Sequence, residues 1–227
     1  GSIVFKDGKI IAVGEKVEIP LGSRIIDGSG LVVSPGWVDA GTSRGFDPAQ
    51  KRPLGVPPGA EDLASDVLAA TKPDHRKGLT PEFEVRTAVK PDDPTFADWR
   101  KAGFTVQLAT PEGGFLSGQS AVISLGGKTP RDLVLKAPAF EHGALRTIPG
   151  AEYPRALMGV IAHLRQLFLD ADRHQRLLQK SKEGNGGDRI PADPCLETVA
   201  LILQKKLPLV LEADTSTEIH RALDFAE

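Results

Sequence analysis

From Thr95 onward the apolar residues change period repeatedly, and this alternation constrains the fold more than any other feature of the 227-residue chain. A short helix over Thr95–Ala102, ended by Gly103, precedes the buried strand Phe104-Thr-Val-Gln-Leu-Ala109. Gly-rich Pro111–Gly118 leads into a strand at Ala121–Leu125, and Gly126-Gly127 turns the chain. Tyr153–Lys182 carries Leu157, Ile161, Leu164, Phe168 and Ala171 at i, i+3/i+4 spacing, so it reads as one long helix that Gly184-Asn-Gly-Gly187 stops. Asp193-Pro194 caps and opens another helix, with Leu196, Val199, Ala200, Leu203 and Leu207 inward. Pro208–Ala213 is a short buried strand, and the capping box Thr215-Ser-Thr-Glu218 launches a last helix. Strands alternating with helices predict an α/β fold whose parallel strands are joined by helical crossovers. The apolar face Ile219, Leu223 and Ala226 has no later element within these residues to pack on, so the chain is expected to be part of a larger fold.

The first third is built differently. Ser2–Gly14 holds two β-branched runs joined at Asp7-Gly8, a strong two-residue hairpin signal. Ile25-Ile26, Asp27-Gly28-Ser29-Gly30 and Leu31-Val32-Val33 repeat that pattern, so residues 1–33 are expected to form a small β-unit. Between residues 44 and 94 eight prolines break up a polar stretch, with one helical candidate near Ala60–Thr71, and the segment reads as a long surface excursion. A net charge of −2 provides no basic field for nucleic acid or an anionic membrane. No apolar run approaches the roughly 18 residues of a membrane span. The protein is therefore expected to be soluble. Its compartment stays open between cytoplasm and, with an upstream signal removed, periplasm, because the chain begins at Gly1 rather than Met. The lone cysteine, Cys195, excludes an internal disulfide and a cysteine zinc cluster.

The hairpin Ser2–Gly14 followed by Ile26-Asp-Gly-Ser-Gly-Leu-Val-Val-Ser-Pro-Gly-Trp-Val-Asp-Ala40 resembles the opening of the amidohydrolase superfamily, and most closely its imidazolonepropionase-like branch. Ala102-Gly-Phe-Thr-Val106, Ser117-Gly-Gln-Ser-Ala121 and Pro208-Leu-Val-Leu-Glu-Ala-Asp214 are similar to later blocks of that branch in the same order. The resemblance implies a (β/α)8 TIM-type barrel with a small β-sandwich built from both chain ends. Residues 1–33 would be part of the sandwich and 34–227 the N-terminal portion of the barrel, with the excursion at 44–94 and the remainder outside this chain. A second polypeptide segment completing the barrel is the implied partner, and a homo-oligomer is compatible.

Active members of the superfamily end their first barrel strand in two histidines that grip a divalent metal, which acidifies a bound water for attack on a C–N carbonyl. The resemblance puts those ligands at Gly41 and Ser43, and a further histidine at Glu212. Glycine has no donor atom, and a neutral hydroxyl is a poor ligand for zinc or iron. The expectation is an amidohydrolase-fold protein without the usual metal, acting as a binding, structural or pseudo-enzyme member. The alternative is a hydrolase of cyclic-amide or imidazolone C–N bonds with a relocated site, in which Glu212 with Asp39 or Asp214 holds a hard divalent cation. Candidate pocket residues are Asp39, Thr42, His142, Glu212 and Asp214; catalytic residues are not assigned.

Other groupings carry less. His163, Asp170 and His174 share a helix face but span three turns, too far for one ion. His142 follows Glu141 in a loop from which it could reach the barrel mouth, but nothing specifies it; His75 and His220 complete the five histidines. Gly113-Gly-Phe-Leu-Ser-Gly118 has neither the order nor the following helix of a nucleophile elbow, and no Gly-Lys-Ser/Thr follows to make a phosphate loop.

Overall fold

The computed structural model describes residues 1–47, 78–147, 154–184 and 190–226. The helical candidate near Ala60–Thr71 and His75 lie outside them. Contacts divide the chain into two units, Gly1–Pro35 and Gly36–Glu227.

In the first unit, β1 (Ser2–Lys6) and β2 (Lys9–Gly14) form an antiparallel hairpin. The turn is the expected one: Asp7 and Gly8 both take positive φ, 52° and 75°, the mirror-image geometry that matches strand twist. The second pair of strands anticipated at Ile25–Val33 does not form. Asp27 instead closes a local turn, accepting from the Ser29 backbone N–H at 2.9 Å, and Ile25, Ile26, Leu31, Val32 and Val33 stand 72–92% exposed. Apolar β-branched residues make a strand only where a neighbouring strand takes their hydrogen bonds, and this unit supplies none.

The second unit is mixed α/β. Its first sheet has the order β3 (Trp37–Thr42), β4 (Phe104–Ala109), β6 (Ala121–Ser124), β7 (Val134–Lys136). Here β3 and β4 are parallel, and the rest is antiparallel. Its second sheet has the order β5 (Leu116–Gln119), β8 (Glu141–Ala144), β9 (Leu209–Glu212), with β8 and β9 parallel. Among the described residues these sheets do not close into a barrel. Helix α1 (Thr95–Lys101) ends at Gly103 with φ 94°, and α2 (Pro130–Leu133) opens with a Thr129/Asp132 capping box. Then follow α3 (Leu157–Lys182), α4 (Pro194–Leu203) and α5 (Ser216–Ala226).

Two cores result. Phe96 of α1 packs with Ala109, Ala121, Ile123 and Leu133 over the first sheet. On the second sheet, Leu116, Leu209 and Leu211 meet Val160, Leu164 and Ala171 of α3, Leu196 and Val199 of α4, and Phe225 of α5. The buried face of α3 is Val160, His163, Leu164, Leu167, Ala171 and His174; of the stripe read from sequence, Leu164 and Ala171 lie on it, and Leu157 and Phe168 pack against the same core partly buried. Two histidines belong to that face, and a count of apolar residues passes over them. In α4 the inward positions Leu196, Val199 and Ala200 hold, but Leu203 is 43% exposed. The chain turns there, and Leu207, 3% exposed, takes the inward place.

The described end of the 44–94 segment does not run over the surface. Leu79 and Val85 are buried, and bridges join Phe46 to Val89, Leu79 to Leu116 and Glu84 to Gln119. Polar composition hid this, because it is the backbone that pairs.

Candidate functional site

Parallel α/β sheets place ligands beyond the carboxyl ends of their strands, because the connecting loops converge there while the sheet stays rigid. Two such ends matter here, those of β3 and β9.

At the end of β3, Asp39 is half-buried and its Oδ1 accepts from the Gly41 N–H at 3.2 Å, so the carboxylate serves the strand's own backbone. Gly41 is exposed. A Cβ built on it would meet only the Thr110 methyl, at 3.7 Å, an ordinary contact. The backbone therefore does not require glycine here; the position is open space. Thr42 is half-buried, and its carbonyl accepts from Thr110 N at 2.8 Å. Ser43, also half-buried, begins a loop that is firmly held. Gln107 Nε2 donates to the Arg44 carbonyl at 2.8 Å, and Gly45, at φ 86°, lies so close to the Phe96 ring that a Cβ would sit 2.5 Å from it. Gln107, 1% exposed, is a positioning residue that sequence reasoning missed. Its signal was a lone amide in the middle of an apolar strand.

At the other end, the register pairs His142 with Val210 and Ala144 with Glu212. These four share one face, while Leu209 and Leu211 on the opposite face join the core under the helices. His142 is thus on a strand rather than in a loop, and 8% exposed, with its ring edge-on to Phe140 at 6.4 Å. Glu212 Oε2 lies 2.8 Å from Nη2 of Arg146, a second residue missed from sequence, and the two side chains are 40% and 54% exposed. Arg146 follows β8 by two residues, so the parallel pairing of β8 and β9 brings it to the end of β9. Only that pairing, not the residue pattern, could have found it. Asp214 contributes its backbone N–H, 2.8 Å from Glu218 Oε2, to the cap of α5. The Glu218 carboxylate also accepts from Thr215 N at 3.1 Å, and these backbone bonds hold its pKa below the usual carboxylate range.

The structure therefore keeps Asp39, Gly41 and Thr42 on one strand, and His142 and Glu212 on one face of another sheet. Position 41 has no ligand atom, Asp39 is engaged with its own backbone, and Glu212 already faces a guanidinium. Among the described residues no three His, Cys, Asp or Glu side chains converge as a metal cluster needs. His163 and His174 are both buried in α3, and the His163 ring lies edge-on to Phe115 at 5.9 Å. Cys195 is buried in the first turn of α4. An apolar groove of about 530 Å³, lined by Leu157, Met158, Ile161, Ala162, Arg165 and Arg221, lies between α3 and α5. No described helix is long and apolar enough to cross a membrane.

Fold and strand ends together define a mixed α/β protein with parallel strand pairs whose carboxyl ends face the loops. Among solved structures, the crystal structure of an amidohydrolase from Thermotoga maritima MSB8 is similar, with a TM-score of 0.77 and 22% sequence identity. The alignment covers 99% of this chain and 56% of that one, so this chain spans a little over half of that protein's length. The likeness is one of fold. No family model matches the sequence, and no curated protein does.

Proposed function

We propose that this chain is the N-terminal portion of an amidohydrolase-type (β/α)8 barrel, of the imidazolonepropionase-like branch, that has given up its metal site and acts as a non-catalytic, binding or structural member. The observation carrying this reading is the Arg146–Glu212 ion pair. Where the resemblance puts a metal-ligand histidine there is a carboxylate, and a cation belonging to the chain itself sits 2.8 Å from it. A guanidinium and a divalent ion draw on the same carboxylate lone pairs, so the pair disfavours a metal at Glu212. Gly41 supports the reading independently. Open space remains where a side chain fits, so the ligand at that position is missing without any demand from the backbone.

The test is elemental analysis of the intact native protein, with turnover assays on a panel of cyclic amides. The expected result is no stoichiometric transition metal and no hydrolysis. One tightly held zinc, iron or manganese per chain, accompanied by C–N bond cleavage, would instead establish a hydrolase with a relocated site.

A further inference from the structure

Helix α3 buries one side and keeps apolar residues on the opposite one as well. Val160, Leu164, Leu167 and Ala171 lie inward, whereas Met158 and Leu169, across the helix, are 82% and 64% exposed. These two stand about three turns apart, roughly 16 Å along the axis. Beside them, the groove between α3 and α5 combines apolar walls, Leu157, Met158, Ile161 and Ala162, with two guanidiniums, Arg165 of α3 and Arg221 of α5. No acidic residue stands three or four positions from Arg165, and among the described residues neither arginine forms an ion pair. Glu218, one turn before Arg221, gives its carboxylate to the backbone N–H groups of Asp214 and Thr215. Helix α3 as a whole carries five lysines and arginines against two aspartates, in a chain whose net charge is −2.

A surface of this shape suits a helix better than a small molecule. Small-molecule sites enclose most of their ligand, and here Met158, Ala162, Arg165 and Arg221 all stand exposed. A helix with one apolar face needs cover on that face only, and the row from Met158 to Leu169 is long enough to give it. Methionine, with its flexible side chain, adapts to such an incoming surface. Charge then selects the occupant. Two copies of this chain meeting through the same face would press one basic α3 against another, which like-charge repulsion opposes. An incoming helix with carboxylates beside its apolar face would instead pair with both arginines. We propose that the α3–α5 groove docks an acidic amphipathic helix of a partner protein, its aliphatic side chains against Met158 and Ile161 and its carboxylates at Arg165 and Arg221. This surface uses none of the residues at the ends of β3 and β9. A metal found in the native protein would overturn the preceding reading and leave the docking surface unaffected.

The test places the photo-crosslinking residue benzoylphenylalanine at Ala162 of the full-length protein in its own host, and mass spectrometry reads the crosslinked peptide. The expected product is a segment of another protein whose apolar residues recur at helical spacing with Asp or Glu beside them. That segment, synthesised as a peptide, should bind the purified full-length protein, more weakly as salt is raised. Arg165→Glu with Arg221→Glu should weaken it by about tenfold or more, while Arg165→Lys with Arg221→Lys keeps most of the affinity. Met158→Asp should weaken it as well, and because these side chains are exposed, the Tm of each variant should match the parent. Crosslinks to the same protein, in one copy or a second, or to lipid, would overturn the proposal. So would the absence of any crosslink, or a peptide whose affinity ignores the charge reversal.

Discussion

The ends of β3 and β9 differ in what stands there. At β3 the position is open: Gly41 leaves space above an intact strand, and Asp39 accepts from its own backbone. At β9 the position is occupied: Glu212 offers oxygens, and Arg146 takes one of them. Had the scaffold itself decayed, the glycines that shape β3 would be interchangeable, and they are not. A Cβ at Gly36 would fall 2.2 Å from the Thr105 methyl, whereas one at Gly41 meets nothing closer than 3.7 Å.

The largest effect expected from this contrast is a gain of binding. Gly41→His with Ser43→His places two imidazoles at the end of β3, and calorimetric titration with zinc should show tighter binding than in the parent chain. If the double variant binds no better than the parent, the end of β3 has lost the shape as well as the ligands. Next in size is a pair of single substitutions on the same strand. Gly36→Ala drives a methyl into a stiff β-branched side chain and should cost about 1–3 kcal/mol in denaturant unfolding. Gly41→Ala, at an unstrained open position, should leave stability unchanged or raise it by up to about 1 kcal/mol. Equal losses at both would erase the distinction between retained shape and removed chemistry.

At the β9 end the effects are smaller. A double-mutant cycle over Arg146→Met and Glu212→Gln should give a coupling of roughly 0.2–1 kcal/mol, shrinking in high salt, because both partners are about half exposed. A coupling that does not respond to salt would mean the pair is not simply electrostatic. The smallest expected effect is at the start of α5. The folded-state pKa of Glu218 lies below its ordinary 4.5, so its contribution is present above that value and lost as pH falls through the lower, folded-state pKa. Glu218→Gln should therefore lower the melting temperature at neutral pH and narrow its difference between neutral and strongly acid solution. A parent and variant with the same pH profile would remove Glu218 from the cap.

Much of the frame was legible because the residues announced it. Asp7-Gly8 makes its hairpin, Gly103 ends α1, Asp193-Pro194 opens α4, and the Thr215/Glu218 box opens α5. Each is local chemistry that needs no distant partner. The strands β5, β7 and β8 were not legible: Glu141-His-Gly-Ala144 has no β-branched residue, and its pairing comes from β5 and β9. In the same way, His163 and His174 belong to the buried face of α3, which an apolar stripe does not mark. At the site, Gly41, Ser43 and Glu212 could be read along the chain, but Arg146 and Gln107 could not. Their roles come from strands brought side by side.

The pair that closes β8 on β9 carries one further consequence. A metal clamp must be drawn from the surroundings, so a protein that depends on one follows the supply of that ion and yields to chelators. Arg146 is translated with the chain it serves. Its partner at Glu212 needs no ion from the medium, and the agent that loosens the pair is ordinary salt.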